Sequence, residues 1–204
     1  MGNKKALIVT HPQEMFDWSC SLEKNLESFI SEHRDYDIIR LIAPGNDSYF
    51  NSGKVISSNY GHISEPDISE IVANYDKIVT AGGYFKHCAQ KTFHSLVNGY
   101  FNNPKNQFSI LIPLNLFYEV NNTQTMESTD TYDKVNRERI NKNNLAWHFR
   151  RRLNEFETIA RFFSLMDSCV EPKIVEKLVN GKVVSRCNGI DVCGVVSYKN
   201  VIDL

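Results

Sequence analysis

Lys77-Ile78-Val79-Thr80-Ala81-Gly82-Gly83-Tyr84-Phe85-Lys86-His87-Cys88 decides the fold. Residues 77–81 are a short apolar run without alternation, the pattern of a strand buried on both faces, and such strands belong to parallel sheets covered by helices. Gly82-Gly83 breaks the run. Beyond it Phe93, Leu96, Val97 and Tyr100 recur at helical spacing, so a helix begins near His87 and buries that stripe. Cys88 then stands at the start of a helix fed by a central strand.

The same alternation repeats on either side. Ala6 to Thr10 reads as a fully buried strand, Leu22, Leu26, Phe29 and Ile30 as the inner stripe of an amphipathic helix, and Ile38 to Ile42 as a second strand ended by Pro44-Gly45-Asn46-Asp47. The polar stretch from Ser48 to Ser64 has no period and reads as a loop that could contribute to a site. Ser64-Glu65-Pro66-Asp67 signals a helix start, with serine as the cap, and Ile68, Ile71, Val72 and Tyr75 form its stripe. On this count the strand at 77–81 is the third. Phe108 to Leu114 is a fourth, with Pro113 marking its end.

The expected fold is therefore α/β: a three-layer α/β/α arrangement, with helices covering both faces of a mainly parallel sheet. The C-terminal part departs from it. Residues 119–143 are polar and aperiodic, which predicts a mobile loop or lid. From 144 to 164, Leu145, Phe149, Leu153, Phe156, Ile159 and Phe163 predict a long helix that needs an apolar partner. Ile174 to Val179, Asn180-Gly181 and Val183 to Ser185 predict an antiparallel hairpin, because Asn-Gly suits the two positive φ angles of a type I′ turn. Residues 1–204 are read as a single domain, with 144–204 as its helix-hairpin extension.

The 204 residues are 42% hydrophobic and 23% charged, enough apolar content for a packed core rather than disorder. A net charge of -1 supplies no global field for nucleic acid or an anionic membrane, so neither is an expected partner. The N-terminal residues run straight into the first strand, with no signal-peptide core, and a cytoplasmic location is expected. Five cysteines, an odd number in a chain of this kind, are expected to be reduced. Cys187 and Cys193 could pair or bind metal, but two small packed thiols near a turn explain them more simply.

In open parallel sheets ligands bind beyond the carboxyl ends of the strands. Thr10-His11-Pro12-Gln13, Ala43 to Asp47 and Gly82 to Cys88 occupy that edge. A thiol at a helix start feels the partial positive charge of unpaired N–H groups, which favours thiolate, and the same groups can bind an oxyanion. Gly82 and Gly83 permit the tight path such a site needs. They lack the rest of a nucleotide-binding fingerprint. His87 and His94 beside Cys88 read as surface or capping residues rather than zinc ligands. Arg150-Arg151-Arg152, followed by Glu155 and Glu157, reads as a solvated helix face.

Residues 6–16, Ala6-Leu7-Ile8-Val9-Thr10-His11-Pro12-Gln13-Glu14-Met15-Phe16, and residues 78–92, in which Thr92 follows Cys88 by four positions, resemble the first strand and the nucleophile segment of isochorismatase-like cysteine hydrolases. The resemblance covers roughly the first 115 residues. It implies a Rossmann-like fold and attack by Cys88 on an amide or related bond of a small-molecule substrate. It further implies that Gly82, Gly83, Tyr84 and Phe16 border the substrate, that no cofactor or metal is needed, and that the chain self-associates into a homo-oligomer. Three family features differ. His11 stands where the family has its acid/base aspartate, and Lys54 is only a positional counterpart of the family's lysine. The aspartate-x-histidine metal pattern of nicotinamidase members is absent after the second strand. A Cys–His pair retains the chemistry of nucleophile activation, since neutral imidazole accepts the thiol proton. Two alternatives stay open: a catalytically inactive binding or regulatory protein on the same scaffold, with Cys88 a packed thiol and His11 bonded to neighbouring backbone, or an unrelated parallel α/β enzyme.

Overall fold

The computed structural model describes residues 4–12, 20–46, 48, 51–83, 88–103, 108–113, 116–117, 175–179, 182–187 and 190–195. Five strands, β1 (Lys5–Thr10), β2 (Tyr36–Ile42), β3 (Lys54–Ser57), β4 (Lys77–Gly82) and β5 (Phe108–Pro113), lie side by side in the order β3-β2-β1-β4-β5. Every neighbouring pair among them is parallel. Helices α1 (Cys20–Glu32), α2 (Glu65–Asn74) and α3 (Gln90–Asn102) pack on the sheet.

Alternation along the strands divides the core in two. Leu7, Val9, Val79, Ala81 and Leu111 meet Leu26 and Phe29 of α1. Ala6, Ile8, Ile39, Leu41, Ile78 and Ile110 meet Ile68, Ile71 and Val72 of α2 and Phe93, Leu96 and Val97 of α3. Burial on both faces is why β1 and β4 read as unbroken apolar runs. Helices α2 and α3 approach closely at Gly99, where a Cβ would lie 2.5 Å from Ile68 Cγ1.

Two expectations change. The stretch read as loop from Ser48 to Ser64 contains β3, so the strand that leads to Cys88 is the fourth, not the third. Strand β3 spans four residues on the edge of the parallel set, and of these only Ile56 is buried. A single inward side chain leaves no period to read. Ser64 occupies the N-cap position of α2 but makes no side-chain cap bond; its hydroxyl donates instead to the Asp67 carboxylate. Pro66 sits in the first turn as expected, where its missing N–H costs nothing.

Three further strands, β6 (Val175–Val179), β7 (Lys182–Cys187) and β8 (Ile190–Val195), extend the sheet beyond β5 in the order β8-β7-β6. Strand β8 runs parallel to β5, β7 antiparallel to β8, and β6 antiparallel to β7. The polar stretch 119–143, the helix expected at 144–164, the arginine run 150–152 and the Asn180-Gly181 turn lie outside the described residues. Among the described residues no helix is long and apolar enough to cross a membrane.

Topology also locates a crevice. From β1 the chain steps outward through β2 to β3, then returns over α2 to β4 on the other side of β1. The strand order therefore reverses between β1 and β4. Their carboxyl ends meet where Thr10 is in register with Gly82, the position at which parallel sheets bind ligands.

Candidate functional site

His11 follows β1 directly, is 3% exposed, and adopts a φ of 49°. Its N–H donates to the Leu41 carbonyl at 2.8 Å, which fixes the turn away from the strand. The other non-glycine residue with positive φ among the described residues is Tyr60, at 55°. It shares a tight turn with Gly61, whose φ is 85°, closed by a bond from the His62 N–H to the Asn59 carbonyl at 3.0 Å. Two consecutive positive φ angles are the pattern of a type I′ turn, in which tyrosine is an unfavourable first central residue. Left-handed conformations of L-residues persist only where their surroundings hold them, and both of these border the same cluster.

The imidazole makes the contact between the two segments. Gly61 N–H donates to His11 Nε2 at 3.2 Å, and the Ser58 carbonyl lies 3.3 Å from the same nitrogen. An N–H can only donate and a carbonyl can only accept, so these two partners serve different forms of the ring. With Nε2 bare and the proton on Nδ1, Gly61 is satisfied; with Nε2 protonated, Ser58 accepts. Burial holds the His11 pKa below its ordinary value, opposed by the Ser58 carbonyl, and so favours the neutral ring. Ser58 itself is 2% exposed, and its Oγ is buried with no hydrogen-bond partner among the described residues.

Cys88 meets Gly61 backbone to backbone. A Cβ on Gly61 would fall 2.1 Å from the Cys88 carbonyl oxygen, so the two backbones are in direct contact and only glycine fits. Cys88 and Ala89 form a wide turn of π-helical type ahead of α3, and Cys88 is 7% exposed. Gly83, with φ 63°, sits between β1 and this turn; a Cβ there would be 3.3 Å from the Cys88 Cβ and 3.2 Å from Thr10 Cγ2. Gly82, with φ 72°, is tighter still: a Cβ there would lie 2.6 Å from the Thr10 carbonyl oxygen. Thr92, fully buried on α3, closes the cluster. Its Oγ1 is 2.9 Å from Thr10 Oγ1, 2.9 Å from the Gly61 carbonyl and 3.1 Å from the Cys88 carbonyl.

The structure thus brings Thr10, His11, Gly61, Gly82, Gly83, Cys88 and Thr92 together. Lys54 is placed elsewhere: it opens β3, in register with Ile39, and its amine bonds both oxygens of Glu70 on α2 at 2.7 Å. Tyr84 and Phe16 lie outside the described residues. At the rim, Tyr60 is 72% exposed and the Lys91 amine stands 4.9 Å over its ring. His94 is half-buried, with Nδ1 3.4 Å from Asn98 Nδ2, and its pKa is lowered by burial and then by His62. Among the described residues no group of three or more His, Cys, Asp or Glu could hold a metal ion. A cavity of about 210 Å³ beside Phe29, His33 and Tyr36 shares no residue with this cluster.

Sequence reasoning singled out His11 and Cys88 but not Ser58, Gly61 or the linking role of Thr92. For Gly61 the signal was a glycine in an aperiodic stretch; for Thr92 it was the spacing of four from Cys88, one helical turn.

No family model matches the chain, and no curated protein matches it. Among solved structures it is similar to an isochorismatase-like hydrolase from Alkaliphilus metalliredigens, with 12% identity over 63% of this chain and 79% of that one at a TM-score of 0.45. It is also similar to a nicotinamidase from Staphylococcus aureus, with 13% identity over 59% and 86% of the two chains and a TM-score of 0.45. A third is the MAR1 ribonuclease from Caenorhabditis elegans, with 12% identity over 57% and 66% and a TM-score of 0.45.

Proposed function

We propose that this chain is a diverged isochorismatase-like hydrolase in which Cys88 is the nucleophile toward a small amide or related substrate. One observation carries the reading: His11 and Cys88 border the same glycine at the point where the strand order reverses, His11 through its Nε2 and Cys88 through its carbonyl. The strain at His11 and Tyr60 supports it, since it is concentrated at this place and nowhere else among the described non-glycine residues.

In the proposed reaction neutral His11 accepts the Cys88 thiol proton, and Ser58 provides the carbonyl that the new Nε2–H needs. The thiolate forms a bond to the substrate carbonyl carbon; the C–N bond breaks and the amine leaves with the proton held by His11. Water then attacks the thioester, giving the acid and returning a proton to the thiol. N–H groups at the head of α3 serve the oxyanion. Gly82, Gly83, Tyr84 and Phe16 border the substrate. Lys54 has no step, because its amine is committed to Glu70. The protein acts in the cytoplasm as a single domain and a homo-oligomer, with the C-terminal hairpin as an antiparallel addition to the parallel sheet.

A second reading, a non-catalytic binding protein, is favoured by one specific contact: His11 Nε2 already has backbone partners on both Gly61 and Ser58. The two are separated with p-nitrophenyl acetate, a generic acyl donor. The hydrolase releases a burst of p-nitrophenolate and carries an acetyl group on Cys88, seen by mass spectrometry and lost in Cys88→Ser. Absence of both in the folded protein supports the binding protein.

A further inference from the structure

We propose that Thr92 is the positioning residue that couples His11 to Cys88, an inference that rests on the reading of Cys88 as nucleophile. Its hydroxyl joins the three segments that form the site: the end of β1 at Thr10, the turn after β3 at Gly61, and the head of α3 at Cys88. The directions of the bonds follow from counting protons. A hydroxyl has one to give, and both carbonyls can only accept, so Thr92 donates to Gly61 at 2.9 Å and shares that proton with Cys88 at 3.1 Å. Thr10 Oγ1 is therefore the donor to Thr92 Oγ1 at 2.9 Å.

The chain continues through Gly61. Thr92 holds the carbonyl on one side of its Cα, and the N–H of the preceding peptide, on the other side, is aimed at His11 Nε2 at 3.2 Å, so the link runs through the fixed backbone angles of Gly61. Gly61 N–H at Nε2 favours the ring form with the proton on Nδ1, which leaves Nε2 as the basic nitrogen, against the Ser58 carbonyl 3.3 Å from the same atom, which favours the other form. Thr92 thus sets which nitrogen of His11 is the acceptor, and at the same time fixes the carbonyl of the residue that bears the thiol. Thr10 and Thr92 are 1% and 0% exposed, so no solvent competes for these bonds. A packing role alone would need the methyl group and not the hydroxyl.

The test compares the wild type with Thr92→Val, which keeps the shape and removes the hydroxyl, and with Thr92→Ser, which keeps the hydroxyl. Thr10→Val, which removes only the upstream donor, is the second variant should Thr92→Val fail to fold. Two quantities are read: the imidazole nitrogen shifts of His11 by NMR, and the pH profile of Cys88 alkylation by iodoacetamide. Thr92→Val should move His11 away from a single Nδ1–H form, raise the midpoint of the alkylation profile and slow alkylation at neutral pH by on the order of tenfold, the worth of about one hydrogen bond. Thr10→Val should shift both in the same direction by less, and Thr92→Ser should restore both. Unchanged His11 shifts and an unchanged profile in a folded valine variant overturn the proposal, as does failure of Thr92→Ser to restore them. If Cys88 in the wild type reacts no faster than the other cysteines, the nucleophile reading fails, and the His11 shifts still report whether Thr92 governs the ring.

Discussion

Replacing Gly61 by alanine should destabilise the protein by about 3–5 kcal/mol, a magnitude that follows from three terms. A left-handed φ, here +85°, costs an L-residue roughly 1–2 kcal/mol. The new Cβ would lie 2.1 Å from the Cys88 carbonyl oxygen and 2.7 Å from its carbon, backbone atoms that cannot swing aside as a flexible side chain does. Relief requires Gly61 and Cys88 to part. That movement breaks the bonds from Gly61 N–H to His11 and from Thr92 to the Gly61 carbonyl, each worth about 1 kcal/mol, with more for any group left buried and unsatisfied. Gly45→Ala is the control. Its φ is +80° but nothing lies within 4 Å of a Cβ there, so only the conformational cost of about 1–2 kcal/mol applies. Urea denaturation measures both, and with slopes of about 1–3 kcal/mol/M the midpoints of the two variants should differ by roughly 1 M. Equal midpoints would refute the claim that Gly61 is held in contact with Cys88.

Burial lowers the His11 pKa in the folded chain, so as pH falls the unfolded chain takes up this proton first. The stability it contributes is complete above about pH 6.5 and is lost as pH falls from there through the folded-state value. His94 acts with the same sign. Denaturation midpoints between pH 7.5 and 5 should therefore fall, and His11→Asn should flatten the fall; a rise on acidification would reverse the assignment. Gly99→Ala gains about 1 kcal/mol of helix propensity but drives a Cβ to 2.5 Å from Ile68 Cγ1, and overpacking costs about 1–3 kcal/mol. A net loss of about 1 kcal/mol is expected in the same urea assay, and stabilisation would mean that α2 and α3 sit further apart. Lys54→Ala removes an exposed ion pair and should cost less than about 1 kcal/mol while leaving Cys88 alkylation unchanged; slowed alkylation would return Lys54 to the site.

Strands buried on both faces were legible because their pattern is set by simple partition: β1 and β4 have no polar face to show. The short edge strand β3 was not, since a strand with one inward residue carries no period, and its pairing with β2 depends on tertiary contacts absent from local sequence. The same limit applies to β8, whose place beside β5 is a long-range choice. At the candidate site, the placement of His11 after β1 and of Cys88 ahead of α3 was legible. The φ of 49° at His11 was not, because no residue type there announces it. Tyr60-Gly61 hides a tight turn for a related reason: asparagine or aspartate before glycine would have signalled it, and tyrosine does not. Lys54 illustrates the converse. Its position suited a catalytic amine, and a carboxylate on a neighbouring helix, invisible to local reading, claims it.

The most direct test of the central claim is the rate at which iodoacetamide alkylates each cysteine of the folded protein, resolved by mass spectrometry across pH. A thiol at the head of α3, with His11 bordering the same glycine, should have its thiolate form favoured. Cys88 is expected to react faster than Cys20, Cys169, Cys187 or Cys193 near neutral pH although it is 7% exposed, and His11→Ala should slow it. Slow alkylation of Cys88, unaffected by His11→Ala, would contradict the account and leave Cys88 as a packed thiol in a binding protein.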